Sequence, residues 1–246
     1  MIARVDASRV ALWTPDNEAA LRQCGQFFAY GAQTDFLRFY EDEQGNRLSL
    51  FEDSAVLYAG GDTAEMRLFL TMDPTVRYVR TDLETARKLA AEWGTVYDSE
   101  AVMQAPEVDK IDELVSDTIK LQELYDVMLE GFGKESIPPF DSWYVDVHHR
   151  IRHGCCRTVG VQEDDAAVAC AMTVAECDSA ALIGAVATRA QARGKGYASA
   201  CVLSLAAMLQ AENKRVLLSP KNEYAHRLYD RIGFTVVGEW GSVKKV

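Results

Sequence analysis

The stretch Val186-Ala187-Thr188-Arg189-Ala190-Gln191-Ala192-Arg193-Gly194-Lys195-Gly196-Tyr197-Ala198 decides how the chain is read. Before it comes Ala181 to Thr188, an unbroken apolar run of the kind found in strands buried on both faces. After it comes a helical pattern from Tyr197 to Glu212. Two glycines alternate with cations where the chain turns. Glycine lets the backbone take positive φ and approach a ligand closely. The N–H groups and dipole at a helix start favour an anion, and Arg193 and Lys195 add positive charge. Physically the stretch is a pyrophosphate cradle; the alternative is a plain turn with solvated basic residues. It is neither G-x-G-x-x-G nor a P-loop.

A second stretch lies after the strand pattern Arg215 to Ser219. It reads Asn222-Glu223-Tyr224-Ala225-His226-Arg227-Leu228-Tyr229-Asp230-Arg231-Ile232-Gly233-Phe234. Asn222 is a helix N-cap, Ala225 and Leu228 face one way, and Gly233 ends the helix.

Together the two stretches resemble the GNAT superfamily of N-acetyltransferases. In that family a Q/R-x-x-G-x-G/A loop after a buried strand binds the CoA pyrophosphate; here it reads Gln191-x-x-Gly194-x-Gly196. The family's later N-x-x-A-x-x-L-Y-x-x-x-G-F stretch is matched by Asn222, Ala225, Leu228, Tyr229, Gly233 and Phe234. The resemblance covers roughly Asp117 to Trp240 and implies a mixed, mostly antiparallel sheet flanked by helices.

The resemblance implies acetyl-CoA as cosubstrate, no metal, and acetyl transfer to a primary amine of a small molecule or protein. Val186, Ala187 and Thr188 would pair with the pantetheine arm through their backbone. Backbone N–H groups of Gln191, Ala192, Arg193, Gly194, Lys195, Gly196, Tyr197 and Ala198 would hold the pyrophosphate, and Asn222 would contact the CoA arm. Tyr229 stands where the family keeps its general acid, and a phenol of pKa ~10 is protonated at neutral pH. The other reading of Tyr229 is packing against the cofactor. The family often places a Glu on the strand before the loop, but Ala181 to Thr188 has no acid. Glu176 on the preceding strand is the nearest candidate base, with a water relay, His148 or His149 as alternatives, and Cys177 as a weaker acyl-accepting nucleophile. A CoA-binding regulatory protein without turnover and an acyltransferase using a longer acyl-CoA are the competing functions.

Outward from the motifs, the second half reads as two helices (Thr118 to Gly131, and Ser142 to Arg152 capped by Asp141), then two strands, Cys156 to Val161 and Ala167 to Glu176. An acidic turn, Gln162-Glu163-Asp164-Asp165, joins those strands. The first half reads as a helix from Asp16, its N-cap, to Tyr30, followed by strand-strand-strand-helix-strand-helix up to Trp93. Ala86, Leu89 and Gly94 stand 139 residues before Ala225, Leu228 and Gly233. The first half therefore reads as a smaller, degenerate GNAT-like copy, with Ala90 in the place of Tyr229 and an uncharged Gly60-Gly61 followed by Asp62 in the place of the loop. A boundary near Ala105-Pro106-Glu107 divides 1–104 from 105–246.

The 246 residues suffice for such a pair. A net charge of −11 argues against direct nucleic-acid binding and suits an amine-attracting surface. The chain shows no signal peptide pattern and no run of the ~18 apolar residues a membrane span requires. The six cysteines form no CxxC pair, so a reduced, cytoplasmic protein is expected; the sequence leaves monomer and homodimer both open.

Overall fold

A computed structural model describes residues 1–245. The first elements are β1 (Ala3–Arg4), α1 (Ala7–Val10), α2 (Glu18–Tyr30), β2 (Leu37–Glu41), β3 (Arg47–Phe51), β4 (Ser54–Tyr58), α3 (Ala64–Met72), β5 (Tyr78–Asp82), α4 (Leu83–Trp93) and β6 (Tyr97–Gln104). The chain continues through β7 (Val115–Ser116), α5 (Leu121–Phe132), α6 (Phe140–Arg152), β8 (Thr158–Glu163), β9 (Ala166–Glu176), β10 (Ala180–Thr188), α7 (Tyr197–Gln210), β11 (Arg215–Leu218), α8 (Glu223–Arg231) and β12 (Thr235–Lys244). The architecture is mixed α/β with mostly antiparallel pairing, as the sequence indicated.

Two compact units form. One comprises residues 1–102 with the C-terminal segment from Val236; the other runs from Met103 to Thr235. The sequence reading instead kept everything after residue 104 together. Strand pairing accounts for the difference. The C-terminal strand β12 runs antiparallel to β5, with Trp240 opposite Asp82 and Lys244 opposite Tyr78. Met103 and Gln104, which the sequence reading left in the first half just before its boundary, pair with Leu218 and Leu217 of β11.

In the first unit, β2, β3 and β4 form an antiparallel meander, and β4 pairs in parallel with β5 from Ser54–Tyr78 to Val56–Arg80. Leu48, Leu50 and Leu57 of the sheet meet Met66 and Leu70 of α3 and Leu89 of α4 in its core. Asn17, not Asp16, caps α2: its Oδ1 accepts the Ala20 N–H at 2.9 Å, while the Asp16 carboxylate accepts the Thr14 hydroxyl at 2.8 Å. Asp82 caps α4, and Gly94 ends it at φ 66°. That left-handed stop favours glycine.

In the second unit, β8, β9 and β10 run antiparallel and β10 pairs in parallel with β11. Leu124, Val127 and Met128 of α5 and Trp143 and Val147 of α6 bury against Cys170 and Met172 of β9. Pro139 rather than Asp141 is the N-cap of α6, because the helix starts at Phe140 and places Asp141 inside its first turn. The long helix α7 packs on β9 and β10. No helix among the described residues is long and apolar enough to cross a membrane.

Candidate functional site

The site is opened by the sheet itself. β10 and β11 pair from Ala180–Arg215 to Ile183–Leu218 and no further, so β10 continues to Thr188 without a partner on that side. Its register with β9 also slips between Gly184 and Ala187. At this bulge Ala185 takes φ +50°, a left-handed conformation that costs a side-chain-bearing residue about 1 kcal/mol. Such strain is characteristic of functional sites.

The separated strands border a cleft of about 930 Å³. Val186, Ala187, Thr188, Ala192, Arg193, Gly194, Gly196, Tyr197, Ala198, Asn222 and Tyr229 all line it, so two stretches distant in sequence meet there. Gln191 and Lys195 do not line it. The sequence reading missed Ser219, Lys221, Tyr224 and Arg231, which also line the cleft, and it expected the segment from Gly131 only as a source of acceptor contacts; Gly131 and Phe132 line the cleft too. Tyr224, Leu228 and Arg231 repeat at helical spacing on α8, a signal the sequence carried. Gly131 and Phe132 come from the end of α5, which no local pattern tied to the loop.

The loop geometry suits an anion. Gly194 and Gly196 have φ +80° and +87°, and a Cβ at either would meet no atom within 4 Å. Glycine is required there by backbone conformation, not by crowding. Gly196 is the N-cap of α7 and no side chain caps the helix, so its first-turn N–H groups lack an intrahelical or side-chain acceptor. The charged residues lining the cleft are Arg193, Lys221 and Arg231, all cationic in a chain of net charge −11.

Tyr229 is buried, and burial pushes its phenol up to about 12. Asn222 caps α8, its Oδ1 accepting the Ala225 N–H at 2.9 Å.

Glu176 is placed differently from the expectation. It lies opposite Ala181, outside the cleft lining and almost fully buried. Its carboxylate accepts from Arg157 Nε at 2.9 Å, Lys214 Nζ at 2.7 Å and Thr173 Oγ1 at 2.9 Å. A carboxylate so enclosed ties the end of β9 to the residues that lead into β8 and β11 and does not line the cleft. His148 stacks on Tyr144, His149 lies against His153, and the buried Cys177 thiol donates to the Ala180 carbonyl at 3.5 Å; none of the three lines the cleft. Among the described residues no group of three His, Cys, Asp or Glu side chains could hold a metal.

In the first unit the turn after β4 is filled from within. Asn46 Oδ1 accepts the N–H groups of Gly60 and Gly61 at 2.9 and 3.1 Å. Its Nδ2 donates to the Asp62 carbonyl and Asp42 Oδ2, both at 2.7 Å.

Solved structures share this fold over nearly the whole chain. A tandem GNAT protein from the clavulanic acid biosynthesis pathway, solved without AcCoA, aligns with a TM-score of 0.61 at 12% identity, covering 100% of this chain and 98% of that one. A GCN5-related N-acetyltransferase-like protein from Streptococcus suis gives 0.59 at 14% identity, with 97% of each chain covered. An acetyltransferase of the GNAT family from Colwellia psychrerythraea gives 0.57 at 12% identity over 100% of both chains. No curated protein matches the sequence. The fold is that of the GNAT superfamily. Residues 158–241 match the family described as FR47-like protein, a segment that contains both the glycine loop and the Asn222 to Phe234 stretch.

Proposed function

We propose that the chain is an acetyl-CoA-dependent N-acetyltransferase that acetylates a primary amine of a small molecule or protein by direct attack. One observation carries the reading: the strand separation after Ile183 and Leu218 places the uncapped start of α7 and the buried phenol of Tyr229 on one cleft. The glycine backbone and Arg193 suit a pyrophosphate. The unpaired tail of β10 offers backbone groups to an extended amide-bearing arm. Acetyl-CoA supplies the thioester.

In this reading the amine nitrogen bonds to the acetyl carbon and the carbon–sulfur bond breaks. Tyr229 donates its proton to the departing sulfur. The ammonium proton leaves through water, and the phenol is restored from the same relay. Glu176 has no part in the reaction. The first unit, its turn closed by Asn46, is read as a degenerate copy that shapes and supports. Kinetics of Tyr229→Phe test the reading. A drop in kcat of about 10- to 1,000-fold with acetyl-CoA affinity nearly unchanged is expected. Tight acetyl-CoA binding by the unaltered chain with no turnover on any amine would instead indicate a binding protein.

A further inference from the structure

The acidic turn Gln162-Glu163-Asp164-Asp165 takes no part in the chemistry above, yet its first carboxylate grips the basic loop. Glu163 holds Lys195 Nζ at 2.7 and 3.0 Å through its two oxygens and accepts a hydrogen bond from the Tyr197 hydroxyl. Asp164 and Asp165 both have positive φ, as in the tight hairpin turns that reverse a chain within two residues. The loop's other end is fastened as well. Glu130 of α5 accepts the Ala190 N–H at 2.9 Å and Arg189 Nη1 at 2.9 Å. Of the loop's cations, Arg189 and Lys195 are thus held by carboxylates, while Arg193 donates to the Thr188 carbonyl at 3.2 Å and lines the cleft.

We propose that Glu163 is a positioning residue for the cofactor loop: it keeps Lys195 on the hairpin side, anchors the Tyr197 hydroxyl, fixes the glycine backbone facing the cleft, and leaves Arg193 as the loop cation that meets the phosphates. The proposal rests on the acetyl-CoA reading of the cleft. The Glu163–Lys195 pair is partly solvent-exposed and screened, so it adds little to overall stability. Its consequence is directional, because it decides which cation faces the ligand. The charges reinforce one another: Lys195 and Tyr197 hold the Glu163 carboxyl below its usual range, and Glu163 holds the Lys195 ammonium above its own.

The test measures acetyl-CoA Kd by calorimetry for the full chain and for Arg193→Ala, Lys195→Met and Glu163→Gln. Amide hydrogen exchange over residues 189–198 is recorded without cofactor. Arg193→Ala is expected to weaken binding about 10-fold or more and to flatten its salt dependence. Lys195→Met should cost no more than about 3-fold, since its charge is already paired. Glu163→Gln should weaken binding about 3- to 10-fold and speed exchange in the loop. Tighter binding by Glu163→Gln would overturn the proposal, since a released Lys195 would then be serving the phosphates. A loss on Lys195→Met as large as on Arg193→Ala, or loop exchange unaltered in Glu163→Gln, would overturn it too. If the unaltered chain binds no acetyl-CoA, the acetyltransferase reading fails and the cofactor role of Glu163 with it; the exchange measurement then still decides whether Glu163 fastens the loop.

Discussion

The ring of Tyr229 lies 5.8 Å from that of Phe234, and both side chains are buried. This apolar setting disfavours the phenolate and pushes the Tyr229 phenol up to about 12, so its proton is held well above the usual range. A phenol of ordinary pKa, ~10, would begin losing its proton near pH 9. With an amine acceptor that is already neutral at pH 7, kcat is therefore expected to show no falling limb between pH 7 and 10. The pH dependence of kcat checks this; a falling limb near pH 9 to 10 that vanishes in Tyr229→Phe would show the phenol titrating early.

Gly194 and Gly196 act through backbone conformation, since open space surrounds both Cβ positions. Valine at either position should leave the melting temperature within a few degrees of the unaltered chain, because nothing is displaced. Each should still weaken acetyl-CoA binding about 10-fold or more, as forcing the loop out of φ near +80° costs 1 kcal/mol or more and turns its N–H groups. Calorimetry beside a thermal melt separates the two effects. Full affinity in Gly196→Val would show that the φ value is unnecessary for binding.

In the first unit Asn46 takes up the N–H groups of Gly60 and Gly61 and closes that turn from within, while no side chain caps α7 of the second unit. One acetyl-CoA per chain is therefore expected. Calorimetric titration gives the stoichiometry directly, and two equivalent sites would contradict the closure by Asn46.

Glu18 tests the first unit's packing. Its side chain is 2% exposed and bridges Arg22 to Arg80 Nη1, the latter at 2.8 Å, while Arg80 lies over the Trp240 ring at 3.4 Å. Glu18→Ala removes the buried carboxylate that two partly buried guanidinium groups share and should cost about 3 kcal/mol in urea unfolding. Removing Glu84 from its exposed pair with Lys88 should cost under about 1 kcal/mol. Equal costs would show that burial does not set the difference.

What the sequence disclosed and what it hid follow physical lines. The loop Gln191 to Gly196 and the stretch Asn222 to Phe234 were legible because turns, caps and positive φ are set by neighbouring residues. The helix stop at Gly94 was legible for the same reason. The pairing of β12 with β5 was not, because Trp240 and Asp82 meet across most of the chain. Glu176 looked free because its partners Arg157 and Lys214 lie 19 and 38 residues away. Lys195 read as a phosphate ligand until Glu163, 32 residues earlier, was seen to hold it. Asn17 and Asp16 are both good caps, and the helix start at Glu18 chose between them.

The most direct measurement follows release of CoA thiol from acetyl-CoA in the presence of a panel of primary amines, using a chromogenic thiol reagent. The protein's own six cysteines are buried, and burial pushes Cys156 up to about 11 and Cys170 and Cys201 to about 12, so the native chain should contribute little signal. Amine-dependent thiol release that drops about 10- to 1,000-fold in Tyr229→Phe is the expected result. Tight acetyl-CoA binding with no amine-dependent release across the panel, or release unaltered in Tyr229→Phe, would contradict the account.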